Sequence, residues 1–469
     1  MGKKIIINPV TRISGFLEIE VEVENHKVVD AKSSGMMFRG FEQMLKGRPP
    51  LDAIYFTQRI CGICSTAHSM CSTLALENAL KITPSENDRM IRDFIHGCEF
   101  LQNHIRHFFQ YTLPDFVQGP DIPPLLEESH QDFRLPPKVN QRLAKNYIDA
   151  LEYGRLAHKM LAVLGGKAPH NHGIFVGGVT VNMDTSKWIE VRSLLAKLKS
   201  FVETIMVESV YQISKYYPDY FHNGRGYGNL MSYGCYDTYK EPEITYLQPK
   251  LQINNQINMF GSENITESIR YAWYQGNDET MVPRDEITKD DRMKEGAYSW
   301  IKAPRYTGSP MEVGPLARMW LSGLYREGLS TMNRTIARVL EAGKIIRILE
   351  GLLERIQLIP SNQRVYEIPK YTDRVGFIDT TRGALAHWIA IEDQRIFHYE
   401  IITPSSWNLS PMDSKGEKGV VEQALIGTEL EDVNSPVEIG RIVRSFDPCV
   451  SCATHVIHSG IKSNKVRVV

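Results

Sequence analysis

The chain has 469 residues, 42% of them hydrophobic and 23% charged, which suits a folded protein with a sizeable core and excludes a disordered or fibrous chain. Lysine and arginine (54) balance aspartate and glutamate (55), so nothing favours nucleic acid as a partner, and no single-sign run marks a membrane surface. The apolar stretch near the N-terminus is only Ile5-Ile6-Ile7 before Asn8-Pro9, too short for a secretory core and far from the roughly 20 residues that span a bilayer. The expected compartment is the cytoplasm, with membrane association or export through a partner's signal as the alternative.

The first predicted element is a strand. From Leu17 to Val23 apolar and acidic residues alternate strictly, the period of a half-buried strand. A helix is predicted over about 86–110, with Ser85 as N-cap and Met90, Ile91, Phe94, Ile95, Cys98, Leu101, Ile105 and Phe108 at helical spacing. A second runs over about 138–164 and stops at Gly165-Gly166. A third covers about 186–216, and a fourth, long one about 315–357. Between them, residues 217–310 have little periodicity and read as irregular structure with short strands. The C-terminal third mixes strand-like pieces such as Ala384–Ile389 with an acidic helix near 419–427. No repeat, linker or composition shift divides the chain. It reads as one α+β unit, 1–469, with a large helical core and smaller β elements.

Seven cysteines stand at 61, 64, 71, 98, 235, 449 and 452. An odd number in a long chain speaks against a disulfide framework. Cys71, Cys98 and Cys235 read as small buried hydrophobes. The other four form two CxxC pairs at opposite ends, Arg59-Ile60-Cys61-Gly62-Ile63-Cys64-Ser65-Thr66-Ala67-His68 and Asp447-Pro448-Cys449-Val450-Ser451-Cys452-Ala453-Thr454-His455. Brought together they offer four sulfurs, the number that a tetrahedral or dinuclear soft-metal site needs. A closed zinc site is the common reading of paired CxxC turns. Against it stand the distance between the pairs, a core that needs no staple, a histidine after each pair, and the charged neighbours Arg59 and Asp447, which suit a site that moves protons.

The two segments resemble the signature motifs of nickel–iron hydrogenase large subunits, RxCGxC-x3-H and DPCxxCxxH. The resemblance extends along most of the chain, through Asn8-Pro9-Val10-Thr11-Arg12, Phe38-Arg39-Gly40-Phe41-Glu42, Gly165–His170, Tyr298–Tyr306, Glu312–Arg318, Arg382-Gly383-Ala384-Leu385 and Thr403–Asn408. It implies the catalytic subunit of a hydrogenase that oxidises H2 reversibly to two protons and two electrons. It implies nickel held by four thiolates, with Cys61 and Cys449 terminal. Cys64 and Cys452 would bridge to an iron carrying carbon monoxide and cyanide, Fe(CN)2(CO). It places Arg382 over the site and Ser405 against a cyanide. It also implies a second cation, magnesium or iron, on Glu42, the Ile401 carbonyl and His455. Carboxylate, carbonyl and water oxygens suit magnesium. No cysteines remain for iron–sulfur clusters, so an iron–sulfur small subunit is the expected partner, with flavin/NAD- or ferredoxin-linked subunits further out. Residues 456–469 would be a maturation tail, removed after His455.

Three positions depart from the family pattern. Ser14 stands where a proton-passing glutamate is usual, Thr381 where proline is usual before Arg382, and Glu400 where glutamine is common. They put the proton exit in doubt and leave the ligands intact. The alternative function is a non-catalytic core subunit of a complex I-like redox complex, a relative that has lost the cysteines.

Overall fold

The structure, a computed structural model, describes residues 2–119, 130–276, 281–285, 289–361 and 365–453, the side chains of Cys452 and Ala453 excepted. The chain opens with three antiparallel strands, β1 (Lys3–Ile7), β2 (Leu17–Glu24) and β3 (Lys27–Gly35). The alternation read in the sequence is the pleat of β2: Leu17, Ile19, Val21 and Val23 are buried, and the glutamates between them are not. Short helices α1 (Phe41–Leu45) and α2 (Asp52–Gln58) lead to α3 (Ser65–Leu80).

The helical core follows. Helix α4 (Glu86–Arg106) begins at Ser85, whose side chain accepts from the Asp88 N–H, the predicted cap. It continues through a wide π-helical turn over His107–Thr112. Helix α5 (Pro137–Gly165) fills its predicted span. Helix α6 (Thr185–Ser200), a second π turn (Phe201–Met206) and α7 (Val207–Tyr216) form the predicted third helix as one rod. The predicted fourth helix is two: α8 (Pro315–Leu321) and α9 (Thr331–Arg355). The break falls where Gly323 and Gly328 take positive φ, and Ser330 caps α9 by accepting from the Asn333 N–H. Around α4 and α9 the fully buried Phe94, Phe100, Ile345 and Leu349 help form the largest apolar cluster.

Residues 217–310 hold short strands, as expected, in small two- and four-stranded sheets. After α9 comes the antiparallel meander that matters most for the site. Its strands are the hairpin Tyr371–Thr380 and Gly383–Glu392 and a third strand, Arg395–Ile402. The first two pair so that Thr380 faces Gly383, leaving Thr381-Arg382 as the turn. The sheet lies against α3 at very close range: a Cβ on Gly376 would meet the Cys71 carbonyl and the Ala75 nitrogen at 2.5 Å. Short helices over Pro404–Leu409, Val420–Leu425, Val437–Ser445 and Val450–Ala453 end the described chain.

Candidate metal centre

Four chain segments converge between α3 and the meander. The loop after α2 carries Cys61. Cys64 is the N-cap of α3, and Cys449 precedes the helix Val450–Ala453. The sulfurs of Cys61, Cys64 and Cys449 all lie within 4.8 Å of one another, and those of Cys61 and Cys449 are 3.4 Å apart. All three residues are buried and none is in a disulfide. The N-terminal segment holds the second motif in place: Ser14 N–H donates to the Pro448 carbonyl and the Ser14 carbonyl accepts from Val450 N–H at 2.7 Å. Arg39 ties both cysteine loops together, donating to the carbonyls of Arg59, Ile60 and, at 2.6 Å, Ser451.

Arg382, at the tip of the hairpin, and Ser405 line a narrow cavity of about 10 Å³ with Cys64, Ala67, His68, Thr380, Leu385, Pro404 and Cys449. Arg382 Nε donates to the Asp447 carbonyl at 3.0 Å, and Nη2 donates to Asn103 Oδ1 at 2.9 Å. Its Nη1 is buried with no hydrogen-bond partner among the described residues. Burial opposes the charge on Arg382, but Asp447 and the cysteine sulfurs outweigh it and hold the guanidinium protonated far above its ordinary range. Burial likewise opposes Asp447, yet Arg382, His107 and Arg338 keep its carboxyl well below the usual carboxylate range. Ser405 Oγ accepts from the Cys449 N–H at 3.1 Å.

These observations fit a cationic metal cluster bound by soft donors. Converging thiols suit nickel or iron. A buried N–H without a partner is costly unless a bound group answers it, and Arg382 Nη1 is such a group on the cavity wall.

The structure brings Cys61, Cys64, Cys449, Arg382 and Ser405 together. Cys452 lies in the helix Val450–Ala453, and its side chain is outside the described residues, as are His455 and the tail 456–469. Of the expected second-cation set, Glu42 and Ile401 are neighbours: Ile401 N–H donates to Glu42 Oε1 at 3.2 Å. Burial and the nearby Glu42 push the Glu400 carboxyl up, while Lys302, 2.7 Å from Glu400 Oε1, pulls the other way. Cys71, Cys98 and Cys235 are buried in the core, as expected.

Sequence reasoning missed the polar shell behind the centre. Glu99 of α4 accepts from the N–H groups of Thr66 and Ala67, at 2.7 and 3.0 Å, and so caps the helix that Cys64 opens. Burial pushes its carboxyl up to about 7 against those two donors. A network runs from Asp447 through Arg338 (3.1 Å) and His104 (3.4 Å) to Glu341 (2.9 Å), which Arg318 grips with two hydrogen bonds of 2.7 Å. Apart from Asp447, these side chains come from α4, α8 and α9. Their helical spacing in sequence looks like that of any core helix with buried polar residues.

A family model described as nickel-dependent hydrogenase matches residues 39–123 and 125–455. The chain is 36% identical to the periplasmic [NiFeSe] hydrogenase large subunit of Desulfomicrobium baculatum, over 97% of this chain and 95% of that one. It is 30% identical to the hydrogenase-2 large chain of Escherichia coli K12, over 97% and 98%. The solved [NiFeSe] hydrogenase from D. vulgaris Hildenborough, in its reduced state, superposes with a TM-score of 0.93 at 37% identity, over 97% of this chain and 100% of that one. All four motif positions here are cysteine. One expectation is overturned. The relative from D. baculatum is named as periplasmic, so a short N-terminal apolar stretch does not place a chain of this kind in the cytoplasm. A partner's export signal leaves no mark in such a stretch. With its matched family model, its relatives along nearly the whole length and both cysteine turns folded onto one buried site, the chain belongs to the nickel-dependent hydrogenase family of oxidoreductases.

Proposed function

We propose that the chain is the catalytic large subunit of a [NiFe] hydrogenase, which oxidises H2 reversibly to two protons and two electrons and passes the electrons to an iron–sulfur small subunit. The observation that carries this reading is the meeting of Cys61, Cys64 and Cys449 from opposite ends of the chain within 4.8 Å in a buried site. Cys61, Cys64, Cys449 and Cys452 would hold the nickel together with an iron that carries carbon monoxide and cyanide ligands. When bound, that centre supplies the two-electron redox chemistry of hydrogen cleavage.

The rest belongs to the protein. Among the described residues, Cys61, Cys64 and Cys449 hold three sulfurs in place without a disulfide. Arg382 keeps a permanent positive charge and a free N–H on the cavity wall, where a planar guanidinium orients better than an ammonium. Ser405 has its oxygen engaged by the Cys449 N–H, which leaves its hydroxyl proton to donate into the cavity, toward a cyanide. The surrounding apolar and polar packing excludes bulk water. Glu42, the Ile401 carbonyl and His455 hold a magnesium or iron, which His455 reaches once residues 456–469 have been cleaved as a maturation tail from the single unit 1–469. Flavin/NAD- or ferredoxin-linked subunits then carry the electrons onward.

Metal analysis of the purified native complex tests the reading. Nickel and non-cluster iron are expected near one to one, with infrared bands of carbon monoxide and cyanide. Zinc alone, with no such bands, sinks it. Intact mass decides the tail: an active subunit still ending at Val469 rejects processing.

A further inference from the structure

Helix α4 ends behind the centre, and its last turn carries a cation that neither cysteine motif announces. Asn103 Nδ2 donates to Asp447 Oδ2 at 2.8 Å, which turns the amide oxygen the other way. That one oxygen, Oδ1, accepts from Arg382 Nη2 at 2.9 Å and from Arg106 Nη2 at 2.8 Å. Arg106, the last residue of α4, therefore holds the same atom as the arginine on the cavity wall. Its Nε is buried with no hydrogen-bond partner among the described residues. Burial lowers the Arg106 pKa and Arg382 adds to this, while Tyr111, Asp447 and Cys61 oppose it. An arginine nonetheless stays charged at any working pH.

Elsewhere in the core, arginines are matched one by one, as Arg92 with Glu77, Arg305 with Asp413 and Arg334 with Glu312. Around Asp447 they are not. Arg382 and Arg338 lie 3.0 and 3.1 Å from its two oxygens, and Arg106 makes no ion pair of its own among the described residues. Glu341, the next carboxylate, is gripped by Arg318. Burial pushes His104 down to about 4 and His107 to about 3, so neither ring adds or removes charge near neutrality. Three guanidiniums thus share one carboxylate, and a buried cation without an anion is costly. The anions left nearby are the cysteine sulfurs. Four thiolates and two cyanides on two divalent metals make a formal dianion, which answers this excess. We propose that Arg106 is a positioning residue of the metal centre: fixed on Asn103 beside Arg382, its charge offsets that of the thiolate-bound metals and raises their redox potential. A positive charge favours the reduced, more negative state, so its removal lowers the potential. The inference rests on the metal-centre reading above.

The test separates charge from contact. Arg106→Lys keeps the charge, Arg106→Gln keeps an N–H for Asn103 without charge, and Arg106→Met keeps only bulk. Redox titration of the assembled enzyme, followed by its carbon monoxide infrared band, reads the potential of the centre. At the applied potential where wild type is half reduced, the Gln and Met variants are expected to show a reduced-to-oxidised ratio about 10-fold lower. That is the scale of one charge acting over roughly 10 Å of protein interior. Their carbon monoxide bands are expected at lower frequency, because less electron density is drawn from the iron. The Lys variant is expected to stay within a few-fold of the wild-type ratio. A Gln variant with the wild-type ratio and band overturns the proposal. So does a Lys variant displaced as far as Met, which would assign the effect to the planar fork and not to charge. If the Met variant fails to assemble, the Gln and Lys variants decide. Wild-type protein without nickel, iron and these bands would overturn the metal reading itself, an outcome read before any variant is compared.

Discussion

At Arg382, Nε and Nη2 are committed to Asp447 and Asn103, while Nη1 has no partner among the described residues. A lysine at this position would keep a charge but lose the fork that grips Asn103 and Asp447 while presenting a third N–H. Arg382→Lys is therefore expected to lower hydrogen–deuterium exchange by about 100-fold, the scale of losing one preorganised donor, with nickel and iron retained. Exchange at the wild-type rate would remove Arg382 from the mechanism. Ser14 makes the opposite case. Its hydroxyl is 4.0 Å from Cys61 Sγ and 3.3 Å from Ser451 Oγ, so it lies at the site yet cannot store a proton at neutral pH. Loss of a sole proton-transfer group costs about 100-fold or more. Ser14→Ala is expected to cost less than about tenfold, through a redundant exit. Inactivity with metals in place would show Ser14 to be indispensable.

The elements position the site by close approach. Helix α3 carries Cys64 at its start and His68 one turn on, and it can sit against the meander because Gly376 has no side chain. The atoms that a Cβ at Gly376 would strike are backbone atoms of Cys71 and Ala75, so no rotamer change can relieve the clash. Gly376→Ala is expected to destabilise by about 3 kcal/mol, at the upper end for overpacking, and to lower metal loading as α3 shifts. Thermal unfolding and metal content check both; an unchanged melting temperature would show that the interface gives way easily. The same principle explains why the hairpin, and not a loop, carries Arg382: two ten-residue strands paired along their length fix the turn between them.

For the whole molecule, buried carboxylates set the pH response, and they pull in two directions. Burial opposes ionisation of Asp115 and Glu341, but Arg12 and Arg444 around the first and Arg318 and His104 around the second hold both far below the ordinary carboxylate range. With folded values lower than unfolded ones, their contribution is present above about pH 4 and is lost as pH falls further. Asp93 has the reverse sign. Burial pushes it up to about 6, against its Tyr239 hydrogen bond and the nearby Arg92 and Arg89. Its cost therefore grows as pH rises from about 4 to about 6. Asp93→Asn keeps an acceptor for Tyr239. It is expected to be more stable than wild type by on the order of 2 kcal/mol above pH 6, and equal to it below pH 4. Denaturation midpoints at pH 4 and pH 7.5 measure this; a gap that does not change with pH would contradict the sign.

Legibility from sequence divides along physical lines. The pleat of β2, the Ser85 cap and helices α4 and α5 could be read because period and capping are local properties of the chain. Cys61, Cys64, Cys449, Arg382 and Ser405, which the structure brings together, could be singled out because ligand chemistry tolerates few substitutes and leaves motifs. The long helix predicted over 315–357 failed because its apolar period runs on through Gly323 and Gly328, and only the packing of α8 and α9 decides that the chain turns there. Glu99, His104 and Glu341 left no signal at all. Each is an ordinary polar residue on a helix, and its partner is remote in sequence: His104 is 237 positions from Glu341. The sequence by itself determined which sulfurs are on offer to a metal. Only the tertiary structure decided which side chains stand behind them, because burial and hydrogen-bond direction exist only once distant segments are packed together.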